Sequence, residues 1–232
     1  MVRSFIISPT KADRFYWLGR YEMRVYLTLH QLNKCYDKMI DGEPDDYIYF
    51  WQKLDVVGHY KTNAEFTLGM LYDEENPSSV ISAQRFAMDN AMMVREDIMS
   101  ETLSYLEMSV ALMKKKKAEG VTNTTELQSI IDWSLAFWGS AEQRIQNHKA
   151  LNIIMLGRNV ENIDMKIRFG YSFERIALAF ESLLRYTDVL ADIVDEKSIE
   201  ELKSLVVADK FNLDDSEYKS RILYLINHLV LV

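Results

Sequence analysis

Two Leu-Gly-Arg triplets, Leu18-Gly19-Arg20 and Leu156-Gly157-Arg158, lie 138 positions apart (157 − 19), and both fall inside helical pattern. A glycine in a helix interior costs roughly 1 kcal/mol relative to alanine. Its presence twice in one context asks for a reason, and close approach of another backbone supplies one. The longer stretches Trp17-Leu18-Gly19-Arg20-Tyr21-Glu22-Met23-Arg24 and Met155-Leu156-Gly157-Arg158-Asn159-Val160-Glu161-Asn162 extend the likeness in weaker form. They read as two equivalent helices that meet each other near the middle of the molecule.

The remaining sequence also favours helix. Pro9, Pro44 and Pro77 are the three prolines of a 232-residue chain, so positions 78–232 contain none and helices there can run long. Residues 1–7 read as a short apolar tail. Ser8-Pro9 opens a helix to about Met39, with a stop at Asp41-Gly42 and Pro44 beyond. Two apolar stripes, Trp17, Leu18, Tyr21, Val25, Leu29, Leu32 and Tyr36 on one side and Ala12, Phe15, Gly19, Met23 and Tyr26 on another, place that helix inside. Short helices are expected over 46–57, closed by Gly58, and over 63–72. In Asn76-Pro77-Ser78-Ser79 a cap residue precedes a proline suited to the first helical position, opening a helix to about Asp97. Helices follow over 100–117 (stopped by Gly120), from a Thr124 or Thr125 cap to about Gln146, and over 147–169 (ending at Gly170). Three more are expected over 172–194, 198–207 and 215–231. Strand-like alternation is scarce and no Pro-, Gly- or Ser-rich linker divides the chain. The expectation is an all-α fold: one domain, 1–232, of long antiparallel helices with an internal pseudo-repeat of the motif helix.

Composition excludes several functions. With 35 acidic against 27 basic residues the net charge is −8, which opposes nucleic acid as a partner. The one basic run, Lys114–Lys117, reads as a solvated helix end. Cys35 stands alone, so no internal disulfide can form and a reducing compartment is expected. No signal-peptide pattern and no apolar run of about 18 residues is present, which implies no membrane span and the cytoplasm as location. His30, His59, His148 and His228 form neither Glu-x-x-His nor His-x-x-x-His, so no metal is implied. There is no phosphate-cradling glycine loop and no Gly-x-Ser-x-Gly elbow, hence no cofactor and no catalytic residue. Asp132, Glu142, Glu161 and Asp164 would supply acid–base pairs if they converged, although solvated helix faces explain most such carboxylates.

The repeat, taken with the segment between its copies, resembles the bacterial alpha-E domain family. Members of that family carry a Leu-Gly-Arg-Tyr-Leu-Glu-Arg stretch near the N-terminus and a similar one in a later helix. Between them lies Asn-Pro-Ser-Ser and a helix with Arg, Glu-Asn and Val-Arg-Glu at fixed intervals. Here that middle signature is Asn76-Pro77-Ser78-Ser79, Arg85, Asp89-Asn90, Val94-Arg95-Glu96 and Glu101, with Met88 and Met92 where the family often has arginine. The resemblance covers about residues 8–170 and leaves 171–232 as a helical C-terminal extension. It implies an association with circularly permuted ATP-grasp proteins and transglutaminase-like peptidases. The role it suggests is a non-catalytic helical partner in a peptide- or amide-ligase system, docking the ligase or presenting its substrate. The alternative is an enzyme or ligand-binding protein with an Arg-rich cleft for a carboxylate- or phosphate-bearing, peptide-like substrate.

The chain departs from the family's Glu-Arg dipeptide in both copies, with Met23-Arg24 in one and Glu161-Asn162 in the other. Adjacent helix residues point about 100° apart and do not face each other. If the two helices pack about a two-fold axis, Arg24 would meet Glu161, and the pair Met23 with Asn162 would have been lost together; independent drift at two surface sites is the other reading. The matched polar positions Arg20, Arg24, Arg85, Asn90, Arg95, Glu96, Arg158 and Glu161 are the candidate binding cluster, with Gly19, Gly157, Asn76, Pro77 and Ser78 as structural motif positions. Helices rarely bury several cations without acids or an anionic ligand to meet them, so the cluster is either an internal ion-pair network or a pocket for a carboxylate or phosphate.

Overall fold

The computed structural model describes residues 7–40, 46–54 and 60–231. Among these residues the fold is all-α. In chain order the helices are α1 (Pro9–Ile40), α2 (Asp46–Lys53), α3 (Asn63–Tyr72), α4 (Val80–Met93), α5 (Arg95–Ile98), α6 (Ser100–Glu119), α7 (Gln128–Arg144), α8 (His148–Arg168), α9 (Phe173–Val189), α10 (Glu196–Leu205) and α11 (Ser216–Asn227). A single 3₁₀ turn, Thr124–Leu127, leads into α7.

Local chemistry sets most of these boundaries. Ser8 Oγ accepts from the Lys11 amide at the start of α1, and Asn147, Asp195 and Asp215 cap α8, α10 and α11 through side-chain oxygens. α6 and α8 run out beside Gly120 and Gly170, both at positive φ. The expected start of α4 at Asn76-Pro77 is wrong by three residues. Asn76 Oδ1 closes a turn on the Ser78 amide (2.9 Å) while its Nδ2 donates to Tyr60 Oη (3.2 Å), so it is spent before the helix begins. Ser79 is the cap instead, with Oγ accepting from the Ser82 amide. The helix expected to reach Asp97 also breaks: the Val94 amide reaches back to Ala91, α5 is a single turn, and Met99 sits at φ 69°, ψ 148°. Asn123 rather than a threonine caps the turn before α7, and α9 stops at Val189, earlier than expected. The apolar tail over 1–6, the Asp41-Gly42 and Pro44 stop, Gly58 and His59 lie outside the described residues.

The chain forms two compact units, one made of the chain up to Arg20 with Gln146–Val232 and the other of Tyr21–Ile145; α1 runs from the first into the second. In the first unit the start of α1 crosses α8 at the two repeated glycines. A Cβ on Gly19 would strike the carbonyl oxygen of Ile154 and stand 3.0 Å from the Arg158 amide nitrogen. A Cβ on Gly157 would strike the carbonyl oxygen of Tyr16 and stand 3.2 Å from the Arg20 amide nitrogen. Adding 138 to 16 and 20 gives 154 and 158, so each glycine faces the counterparts of the residues its own neighbours occupy. The crossing is therefore two-fold symmetric, and the sequence reading of glycine as the mark of close backbone approach is what the structure shows. Phe15, Leu18, Ile153, Ile154 and Leu156 seal its flanks at zero exposure. α9 and α11 pack on α8, and α10 packs on α11. The chain end is tied back by Asp195 N–H to Leu229 O (2.9 Å) and Leu231 N–H to Ile193 O (2.8 Å).

In the second unit α6 packs against α7 and α4, and α3 against α4. Phe66, Met70, Leu71, Val80, Ile98, Met113, Ile130 and Phe137 are completely buried there. Two buried side-chain hydrogen bonds pin the register, Gln84 Nε2 to Ser109 Oγ (2.7 Å) between α4 and α6, and Thr102 Oγ1 with Ser140 Oγ (2.9 Å) between α6 and α7.

Because the obstacle at each glycine is backbone rather than a movable side chain, Gly19→Ala and Gly157→Ala are each expected to lose about 3 kcal/mol or more, a Tm fall of roughly 6–12 °C. Gly139 in α7 has no atom within 4 Å of an added Cβ, so Gly139→Ala should gain about 0.5–1 kcal/mol. Thermal and urea unfolding of the three variants checks this; full stability in the first two would refute the close crossing.

Candidate functional site

The glycine crossing sets Arg20, the next residue of α1, against α8. Glu161 lies four residues beyond Gly157 and so one turn along the same helix face. Arg20 Nε donates to Glu161 Oε2 at 2.8 Å, and Arg20 Nη2 is 2.8 Å from the same oxygen. The second use of Nη2 is a 2.8 Å bond to Asn227 Oδ1 at the end of α11. Asn227 then turns its amide nitrogen to Asp164 Oδ1 (2.6 Å), whose other oxygen takes Arg168 Nε at 2.7 Å. From Glu161 through Arg20, Asn227 and Asp164 to Arg168 the chain of bonds reads acid, cation, amide, acid, cation, and its formal charges cancel. Arg20 is 3% exposed, Glu161 0% and Asp164 3%, so water has almost no share in these three, while Asn227 and Arg168 are half-buried.

Aromatic rings complete the enclosure, with the Arg20 guanidinium 5.2 Å from the Trp17 ring centre and 5.9 Å from that of Tyr16. Burial opposes the charge on Arg20, but Glu161, Tyr16 and Asp164 outweigh it and hold the guanidinium pKa above its ordinary value. Burial likewise pushes the Tyr16 phenol up, with Arg20 beside it pulling the other way. Such an arrangement holds three helices in register.

Glu161 holds Arg20, a residue that the cross-pair reading left out, and the Arg24 guanidinium lies over the Tyr21 ring at 5.5 Å. Drift at surface sites is excluded as the origin of the odd copies, since Met23 and Glu161 are both buried. Arg158 is half-buried on α8, with Nη1 3.9 Å from Met155 Sδ. The other matched positions belong to the second unit. Asn90 is buried and donates to the Phe86 carbonyl of its own helix (2.8 Å), whereas Arg85, Arg95 and Glu96 are exposed. Arg85 stacks on Phe86 at 5.0 Å and lines a groove to which Asn90, Arg95 and Glu96 do not contribute.

Sequence reasoning passed over two residues of consequence. Asn227 carries no local signal at all. Glu22 did carry one: it falls at the 4-3-4 spacing of Leu18, Glu22, Val25 and Leu29, the other three of which have zero exposure, so it is an acid on a core face. It is 2% exposed in the second unit, and among the described residues it has no ion pair. Burial pushes its carboxyl up to about 7, with the Ser134 hydroxyl of α7 pulling the other way. The matching position in the second copy (22 + 138) is Val160.

Among the described residues no three of His, Cys, Asp and Glu gather as ligands for a metal ion, and no helix is long and apolar enough to cross a membrane. The family model Alpha-E, described as a predicted alpha-helical domain with a conserved ER motif, matches residues 8–195. Comparison with curated proteins and with solved structures gave no match.

Removing one member of a buried ion pair strands the other. Arg20→Ala or Glu161→Ala is thus expected to lose about 3–5 kcal/mol, while Arg20→Leu with Glu161→Leu loses markedly less than the sum. A double-mutant cycle by urea unfolding measures this, and additive losses would disprove the coupling. For Glu22 the folded pKa of about 7 exceeds the ordinary 4.5. Its contribution is therefore complete below about pH 4.5 and is lost as the pH rises through 7, a swing on the order of 3 kcal/mol. Glu22→Gln should flatten the stability–pH profile in that window and make the protein more stable than wild type at pH 8. An unchanged profile would show that Glu22 does not titrate there.

Proposed function

The chain belongs to the Alpha-E family, and from that membership we propose that it is a non-catalytic helical partner in an ATP-grasp-dependent system forming peptide or amide bonds. Its task in that system is to dock the ligase or present the ligase's substrate. The observation that carries this reading is the burial of the motif charges: Arg20 is spent on Glu161 and on Asn227, inside the first unit and away from solvent. A charge that acts on a substrate needs a free face; a charge that fixes helix register does not.

A face suited to a partner lies where α4 gives way to α6. Met92, Met93 and Met99 are all exposed there, Met93 to 64%. Met99 holds a backbone conformation at home only for glycine, at a cost of about 1–3 kcal/mol, and such strain is concentrated at functional sites. Unbranched thioether side chains adapt their shape to a binding surface more readily than branched ones. The transglutaminase-like peptidase of the same systems is the second partner this reading admits.

Mixing the purified chain with a purified circularly permuted ATP-grasp protein should give a complex by size-exclusion chromatography. Met93→Asp with Met99→Asp should weaken it at least about tenfold, the loss expected when one central apolar contact is removed. If no complex forms while the chain alone turns over a peptide amide, the reading fails.

A further inference from the structure

The groove beside Arg85 has features that neither the motif network nor partner docking uses. It lies between α4 and α6 in the second unit, with a cavity volume of about 260 Å³. That is just below the roughly 300–1,000 Å³ of drug-sized pockets, which limits an occupant to about the size of an amino acid. Ile81, Met88 and Val110 make its apolar wall.

Its charges are unevenly satisfied. Glu74 at one end is taken by Lys117 at 2.6 Å. Within the basic run, Lys115, Lys116 and Lys117 each have an acid partner, Glu119, Glu126 and Glu74 in turn. Lys114, which lines the groove, has none among the described residues, and neither Arg85 nor Asp89 makes a hydrogen bond or ion pair there. Arg85 and Asp89 are four apart on α4, the spacing at which a helical ion pair forms, yet the guanidinium lies over Phe86 instead. Behind them Gln84 is 3% exposed; its Nε2 is held by Ser109, and its Oε1 has no hydrogen-bond partner among the described residues. A buried acceptor without a donor is costly and calls for one.

Two unpaired cations, one unpaired carboxylate and a spare carbonyl acceptor define a complement: two carboxylates, one ammonium and a short alkyl body. We propose that this groove binds an acidic amino acid, with its carboxylates on Arg85 and Lys114 and its ammonium on Asp89 and Gln84. The site goes beyond the docking reading and does not rest on it, so a missing ATP-grasp complex would leave it standing.

The test is a titration of ¹⁵N-labelled protein with L-glutamate, glutarate and inorganic phosphate, read from the Gln84 side-chain amide and the backbone amides of α4 and α6. L-Glutamate is expected to bind with Kd on the order of 1 mM or tighter, since the ion pairs are solvent-exposed. Glutarate, which lacks the ammonium, should bind roughly tenfold more weakly. Arg85→Ala and Lys114→Ala should each weaken glutamate binding about tenfold, and Asp89→Asn should abolish the preference for glutamate over glutarate. All three positions are exposed, so the variants keep the fold, which their amide spectra verify. No response up to roughly 10 mM, ten times the expected constant, would overturn the proposal. So would equal binding of glutarate and glutamate, or phosphate binding as tightly as either.

Discussion

Two backbones touching at Gly19 and Gly157 fix everything around them. Neither helix can rotate or slide without driving a carbonyl oxygen into the other's chain. The register of α1 on α8 is accordingly decided at the level of main-chain atoms, where no side-chain repacking can relax it. Glycine's roughly 1 kcal/mol propensity penalty is small beside what is gained when two helices come close enough for the residues flanking the contact to interlock. Arg20 follows Gly19 directly, and Glu161 lies one turn past Gly157. Their ion pair is thus a consequence of the crossing as much as a support for it.

Burying Arg20, Glu161 and Asp164 together is expensive unless every one of them is bonded. The amide of Asn227 makes this possible because it offers an acceptor to Arg20 and a donor to Asp164 at once. An alkyl side chain there would strand both, and an aspartate would set two acids together. Asn227 stands in α11, beyond the 8–195 span of the family match. The C-terminal helices are therefore no appendage in this chain: one of them closes the circuit that the motif opens.

Much of this was legible from residues alone. The glycines announce a close approach, since a helix breaker that occurs twice in one setting asks for one, and the helices that begin near Asn147 and Asp215 follow from local chemistry, whereas the Asp195 cap lies ahead of the start expected at 198. The start of α4 was misjudged because Asn76 has two competing uses, and only the position of Tyr60 shows which one prevails. The break from Val94 to Met99 is invisible in a run that contains neither proline nor glycine. Asn227 was out of reach for a different reason: its partners are 207 and 63 residues away, and an asparagine near a helix end is ordinarily just a helix end. Glu22 was within reach, since an acid at the 4-3-4 spacing of a fully buried stripe contradicts its own neighbourhood.

The repeat is symmetric in backbone and asymmetric in charge, and physical cost accounts for the difference. Where the second copy has Val160 and Glu161, the first has Glu22 and Met23. An acid in both equivalent positions of a two-fold crossing would require a second buried pair with its own set of satisfying bonds, and Asn227 can serve only one side. A methionine at position 23 removes that demand. The acid stands one residue along, at Glu22, where no cation pairs with it among the described residues and burial keeps the carboxyl protonated to about neutral pH. One copy thus answers burial by pairing its acid and the other by leaving its acid neutral. A symmetric sequence could take neither course on one side alone.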